Sequence, residues 1–295
     1  MEYLSSCPIC KSTMLKSHLT CKDYTVSQSE FTIVNCSSCG FTFTNPRPEP
    51  ENLGVYYKSE EYVSHSNTKK GLIFKLYQLV RNYTLDNKVR LVKKWGNPKN
   101  LLDIGCGTGA FIDRCAKSKI EVVGIEPDES ARNFAINNFS LNVFDESEII
   151  KIADNSYDTI TMWHVLEHVS DLEERVKQLK RILKPGGTLF VALPNMASYD
   201  AQVYGKFWAA YDVPRHLYHF KKGDVERLFN LVSMVVVKRL PMKFDSFYVS
   251  MLSEKYLSGK VNYFKAFYNG MKSNKYASKS DVNFSSVIYI LKNSN

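Results

Sequence analysis

The 295-residue chain carries 39 basic and 30 acidic residues, a net charge of +9, with 44% hydrophobic and 23% charged residues. That composition suits a globular protein with a real core, without repeats or low-complexity tracts, and the longest apolar run, around Val235–Val237, is far too short to span a bilayer. The charge excess favours anionic partners, phosphorylated substrates or RNA, but it is spread along the chain rather than gathered in a block.

The length exceeds one average domain, so a core domain with appendages is expected. Met1–Cys7 has neither a basic start nor an apolar run, which predicts a cytoplasmic protein. There, seven cysteines read as metal ligands or free thiols rather than disulfides.

Cys7-Pro8-Ile9-Cys10 and Cys36-Ser37-Ser38-Cys39 are two C-x-x-C turns separated by 25 residues. Each sets two thiolates on one tight turn, and two such turns complete a tetrahedral site for zinc. Four cysteines leave no open position for water, so the metal is expected to be structural, and chelation to loosen this lobe before it touches any chemistry. Cys21 is left as a non-ligating thiol. Phe31–Val34 and Phe41–Phe43 alternate like the strands of a zinc ribbon, assigned to residues 1–48.

Residues 49–96 read as a linker and helical segment. Asn45–Pro50 is a stiff, proline-rich exit. Tyr56, Tyr57 and Tyr62 either close over a ligand or pack the ribbon onto the larger C-terminal domain. From Leu72 to Trp95 the apolar spacing predicts an amphipathic helix, broken near Thr84.

The central stretch is Leu101-Leu102-Asp103-Ile104-Gly105-Cys106-Gly107-Thr108-Gly109-Ala110. It reads as a buried strand, a glycine turn and a helix start, where bare backbone and outward N–H groups let a ligand approach. A second apolar strand, Glu121–Ile125, ends at Glu126, whose carboxylate can take two ribose hydroxyls. Gly105-x-Gly107-x-x-Ala110 also fits a dinucleotide fingerprint, but Asp103 at the strand end would face a pyrophosphate and suits a cationic ligand better.

Further strands are predicted at Val143–Asp145, Ser156–Trp163 and Thr188–Leu193. A capping box at Ser170-Asp171-Leu172-Glu173 starts a helix that stops at Pro185-Gly186-Gly187. A helix from Lys222, a strand at Val232–Leu240, a helical insertion (241–282) and a last strand at Ser286–Leu291 complete the pattern. The beat of roughly 20–30 residues per unit is that of a doubly wound parallel sheet.

Asp103-x-Gly105-x-Gly107-x-Gly109, the acidic strand end Glu126, the Leu166-Glu167-His168-Val169 stretch and the Leu183-Lys184-Pro185-Gly186-Gly187 turn together resemble class I S-adenosylmethionine (SAM)-dependent methyltransferases, over roughly residues 85–240. The resemblance implies an α/β, Rossmann-like doubly wound sheet over residues 97–295, behind the small N-terminal zinc ribbon. It implies that SAM is held by Asp103, Gly105, Cys106, Gly107, Gly109, Glu126, Pro127, Asp145, Trp163 and His164. Asp145 would face the adenine, although the local sequence departs from the family's commoner Asp-x-x-x-Leu-Pro pattern.

In the same family the segment after the fifth strand, here 196–222, builds the acceptor pocket. Its Asp212-Val213-Pro214-Arg215-His216-Leu217 signature resembles that of bacterial relatives with a four-cysteine ribbon. Aromatic residues would give a dry wall and Arg215 an anion contact, unless Asp212, Arg215 and His216 simply cap one another. His216 is the first candidate base, with His168 and His219 beside it. Quinone O-methyltransferases with a similar Glu-His pair hold a divalent cation there, so Glu167 and His168 carry that alternative. The aromatic stretch Phe244–Tyr268 is expected to cover the acceptor or to form a dimer contact.

The expected reaction is in-line methyl transfer to a small-molecule acceptor, such as a sugar or glycan precursor, since similar ribbon-bearing proteins often accompany surface-polysaccharide biosynthesis. The alternative is an rRNA methyltransferase using its ribbon on RNA. Such fingers usually complete their site with a nearby Cys and His rather than a distant C-x-x-C.

Overall fold

A computed structural model describes residues 1–58, 72–280 and 282–294. Tyr62 lies outside the described residues.

The N-terminal lobe is a small antiparallel sheet. β1 (Leu15–Lys22) pairs with β2 (Glu30–Cys36), and β2 with β3 (Thr42–Thr44). β2 and β3 carry the expected ribbon strands. β1 is an addition: most of its side chains are exposed, so it lacks the apolar alternation that would mark it.

α1 (Pro50–Leu53) is a single turn started by proline. α2 (Leu72–Trp95) runs unbroken for 24 residues. The expected break at Thr84 does not occur, because one β-branched residue inside a helix costs only about half a kcal/mol.

The main sheet is built from β4 (Asn100–Ile104), β5 (Glu121–Ile125), β6 (Val143–Phe144), β7 (Tyr157–Trp163), β8 (Leu183–Pro194), β10 (Met234–Pro241) and β11 (Ser286–Asn293). Its order is β10-β11-β8-β7-β4-β5-β6. The five strands from β8 to β6 are parallel, while β11 inserts antiparallel between β8 and β10.

Helices α3 (Ala110–Lys117), α4 (Glu129–Phe139) and α5 (Leu172–Ile182) follow β4, β5 and β7. Asp128 caps α4 by accepting from the Ala131 N–H at 2.7 Å. Asp171, one residue later than the expected Ser170, caps α5 by accepting from the Glu174 N–H at 3.0 Å. α5 ends at Ile182 and β8 begins at once, so Lys184–Gly187 belongs to a strand with an irregular register against β7 rather than to a turn.

After β8 come α6 (Tyr199–Tyr204), the short strand β9 (Tyr218–His219) and α7 (Lys222–Asn230). α8 (Asp245–Ser258) and α9 (Tyr263–Lys279) form a helical pair between β10 and β11. β9 does not join the main sheet. It pairs with β3, setting Thr42 opposite His219 and Phe43 opposite Tyr218.

The ribbon is thereby fused to the larger lobe. Phe41 and Phe43 share one core with Leu217, Phe220, Leu166 and the sheet residues Ile160 and Met162. Arg47 donates to the Tyr218 hydroxyl at 2.9 Å, and the Thr44 N–H to the Leu217 carbonyl at 2.9 Å.

Candidate active site

β4 runs into Gly105, whose φ is +73° and whose N–H donates to the Ile125 carbonyl at 2.7 Å. A Cβ there would stand 2.3 Å from Val165 Cγ2, so nothing larger than hydrogen fits. At Gly107, φ is +55° and nothing beyond the adjoining residues lies within 4 Å of where a Cβ would be, which leaves a bare turn open to a ligand.

Glu126 ties this turn to β5. Its Oε2 accepts from the Gly107 N–H at 2.8 Å and its Oε1 from the Asp128 N–H at 3.0 Å. Each oxygen keeps a second lone pair for a hydroxyl donor. Burial raises the Glu126 carboxyl above the usual carboxylate range, against the pull of those two N–H groups.

Cys106 and Gly109 lie on the same turn, Gly109 as the N-cap of α3, and the Pro127 carbonyl accepts from Arg132 at 2.7 Å. Asp145 ends β6 beside Glu126, whose N–H donates to the Phe144 carbonyl at 3.0 Å. It accepts from the Ser147 N–H at 3.0 Å and pairs with Arg132 at 3.0 Å.

Asp103 is 2% exposed and accepts the Thr161 hydroxyl at 2.5 Å. Burial pushes its carboxyl up to about 7, while Thr161 and the Lys88 charge pull the other way. Lys88, on α2, places its ammonium 4.5 Å from the Trp163 ring centroid. Trp163 packs edge-on against Phe111 at 5.5 Å.

The carboxyl end of β7 holds a second cluster. His164, at φ +59°, sets Nδ1 3.3 Å from Glu167 Oε1 and Nε2 3.1 Å from Asp245 Oδ2 on α8. Burial opposes its charge, but the two carboxylates outweigh it and raise its pKa to about 9. His164 is therefore a clamped cation rather than a neutral ring.

Glu167 is fully buried, and neither carboxylate oxygen has a well-formed hydrogen bond among the described residues. Glu167, His168 and His216 each offer a ligand atom within 4.8 Å of the others. The His168 and His216 rings meet edge-on at 4.6 Å. Burial, and then the charge of His216, bring His168 down to about 4.

His168 Nδ1 lies 2.8 Å from the Tyr57 hydroxyl and 3.1 Å from the Arg215 carbonyl. His216 Nδ1 lies 2.9 Å from the Ala210 carbonyl. A carbonyl only accepts, so Nδ1 carries a hydrogen, and whenever the ring is neutral Nε2 holds the lone pair.

Two expectations need correction. His219 is 3% exposed in β9, 3.0 Å from the Thr44 hydroxyl and edge-on to Tyr211, so it serves the ribbon seam and not as a second base. Arg215, 1% exposed, is used up internally instead of meeting an anionic acceptor. It donates to Asp212 at 2.6 and 3.0 Å, to Asp23 at 3.2 Å and to the Tyr56 carbonyl at 3.0 Å.

Lys88, Thr161 and Asp245 join the two clusters with no role assigned from the sequence, and Tyr57 joins them as well. Only the Tyr56-Tyr57 pair carried a signal, as side chains that close over a ligand or seal the ribbon.

In the ribbon, Cys7 Sγ lies 3.6 Å from Cys39 Sγ and Cys10 Sγ 3.5 Å from Cys36 Sγ, the four thiols forming one group. Tetrahedral zinc with Zn–S of about 2.3 Å separates its sulfurs by about 3.8 Å, so the group fits that metal. Cys21 is buried elsewhere and its thiol is pushed up to about 12 by burial, consistent with a packing role.

The strand order, the bare glycine turn and the acidic end of β5 define a class I methyltransferase fold. The chain belongs to the methyltransferase-domain family, whose pattern matches residues 77–237. The ubiquinone biosynthesis O-methyltransferase of Coxiella burnetii is 33% identical over 119 residues, 38% of this chain and 50% of that protein. The enzyme of the same name from Haemophilus ducreyi is 30% identical over 137 residues, covering 42% and 58%. The chain thus spans about half the length of the curated relatives it matches. A SAM-dependent methyltransferase structure from Thermotoga maritima superposes with a TM-score of 0.52 at 21% identity, over 81% of this chain and 99% of that one.

Proposed function

We propose that the chain transfers the methyl group of SAM to an oxygen of a small-molecule acceptor, a sugar or glycan precursor. The glycine turn and Glu126 hold the nucleoside, and the Glu167–His168–His216 cluster takes the acceptor's proton. The observation that carries this is the pairing of the open Gly107 turn with a fully buried carboxylate and two histidines at neighbouring strand ends. Membership of the family and the O-methylating relatives support the reaction class.

The sulfonium of SAM supplies the electrophile, so the protein's work is orientation and proton removal. His216 Nε2 is the atom that accepts, with Nδ1 locked on the Ala210 carbonyl to fix the tautomer. Glu167 stabilises the imidazolium that forms. Its Oε2, which has no partner among the described residues, also favours a second reading, in which a divalent cation bound by Glu167, His168 and His216 would orient the acceptor oxygen. In the ribbon, Cys7, Cys10, Cys36 and Cys39 hold a structural zinc.

Titration calorimetry with SAM and turnover with methyl-labelled SAM in fractionated extract test this reading. Gly105→Val should abolish cofactor binding, and Glu126→Ala should weaken it by about 10–100-fold. His216→Ala should keep binding and lose roughly 100-fold or more in turnover. Unchanged binding in both cofactor variants overturns the site, and label lost on RNase treatment overturns the acceptor class.

A further inference from the structure

We propose that the α8–α9 helical pair docks the protein onto an anionic lipid bilayer surface. Phe264 is 92% exposed, and Tyr263, Phe267, Tyr268 and Met271 are each more than 45% exposed along the same side of α9. Apolar side chains displayed so fully in one stripe are unusual on a folded surface and mark a contact face. With Phe247 and Met251 of α8, Tyr263, Phe264 and Phe267 line a concavity of about 350 Å³.

The charge around this stripe commits it to one occupant. Residues 243–279 contain seven lysines and two acidic residues, Asp245 and Glu254. Both acids turn inward: Asp245 clamps His164, and Glu254 is 2% exposed and accepts from the Tyr204 hydroxyl at 3.0 Å. Lys272, Lys275 and Lys279 are exposed on the flank of the aromatic stripe, Lys272 lying 5.2 Å from the Tyr268 ring centroid, while Lys265 reaches back to Glu254 at 3.3 Å.

Aromatic side chains with a lysine flank and no outward acid within residues 243–279 suit the headgroup layer of an anionic membrane, where the rings enter the boundary and the ammonium groups meet phosphates. A second copy of the chain is a poorer match. A two-fold contact presses a patch against itself, and this patch carries lysines but no outward acid within residues 243–279 to pair with them. The helices lie on such a surface rather than cross it, since no described helix is long and apolar enough to span a bilayer. α8, whose first residue holds His164, would carry the acceptor side of the site to the surface.

Sedimentation with phosphatidylcholine vesicles, with and without phosphatidylglycerol, tests this. The whole chain should bind the anionic vesicles at least tenfold better than neutral ones, and less well as salt rises. Phe264→Ser with Phe267→Ser should lower that binding at least tenfold with the melting temperature unchanged, and Lys272→Gln with Lys275→Gln and Lys279→Gln should remove the anionic preference. Absence of binding to anionic vesicles, or binding that the double aromatic variant leaves intact, overturns the proposal. A doubled mass in light scattering that the aromatic variant abolishes, without vesicle binding, overturns it in favour of self-association.

Discussion

The glycine turn and the ribbon seam are assembled in opposite ways. The turn is local: Gly105, Gly107, Glu126 and Asp128 fall within one strand–helix–strand unit and its exit, and their bonds are mainly to backbone. The seam gathers Asp23, Thr44, Tyr56, Asp212, Arg215 and His219 from two distant stretches of the chain and binds them by side-chain charge and hydrogen bonds. A site made of backbone survives distant damage, whereas one made of long-range pairs fails when either end loosens.

Removing the ribbon metal should separate the two regions most. Structural zinc contributes folding free energy on the order of 10 kcal/mol in small ribbons. Stripping it with a chelator should release residues 1–48 to proteolysis and free β3 from β9. The Leu217 N–H donates to the Glu167 carbonyl at 2.8 Å, so the acceptor cluster is tied to that edge. Turnover should fall with the ribbon while SAM affinity holds within about threefold, measured on the same sample. Loss of both together would mean that the glycine turn depends on the seam.

Arg215→Ala should come next. It leaves the buried Asp23 and the partly buried Asp212 without their shared cation, and breaking a buried pair in this way costs about 3–5 kcal/mol. Chemical denaturation should read that loss, again with SAM affinity retained in the folded fraction. A change below 1 kcal/mol would mean that solvent reaches the seam.

The same contrast explains what the sequence disclosed. Asp103-x-Gly105-x-Gly107, Glu126 and the paired C-x-x-C turns are legible because their chemistry depends on spacing along a short stretch. The parallel sheet follows from its alternating units. Arg215 and His219 are chemically versatile side chains whose partners, Asp23 and Thr44, lie almost two hundred positions away. Nothing in Pro214-Arg215-His216-Leu217 distinguishes a guanidinium aimed at a ligand from one aimed at a buried aspartate. Asp245 and Lys88 escaped for the same reason: each sits on a helix, where a charged residue reads as solvated surface until the tertiary packing turns it inward.

Acid titration isolates one half of the seam. Burial alone would raise the Asp23 carboxyl, but the N–H groups of Ser27 and Thr25 and the Arg215 charge more than offset it and hold its pKa at about 2. A pKa depressed on folding contributes stability above its unfolded value near 4 and loses it as the pH falls through 2. The shift corresponds to about 2 kcal/mol at neutral pH. Asp23→Asn should therefore be less stable by about that amount at pH 7, and the gap between variant and parent should close between pH 4 and 2, as read from denaturation midpoints. Because Asp212 still pairs with Arg215 in this variant, the loss should be smaller than for Arg215→Ala. An equal loss would mean that Asp23 alone anchors the guanidinium and that the Asp212 contact adds nothing to the fold.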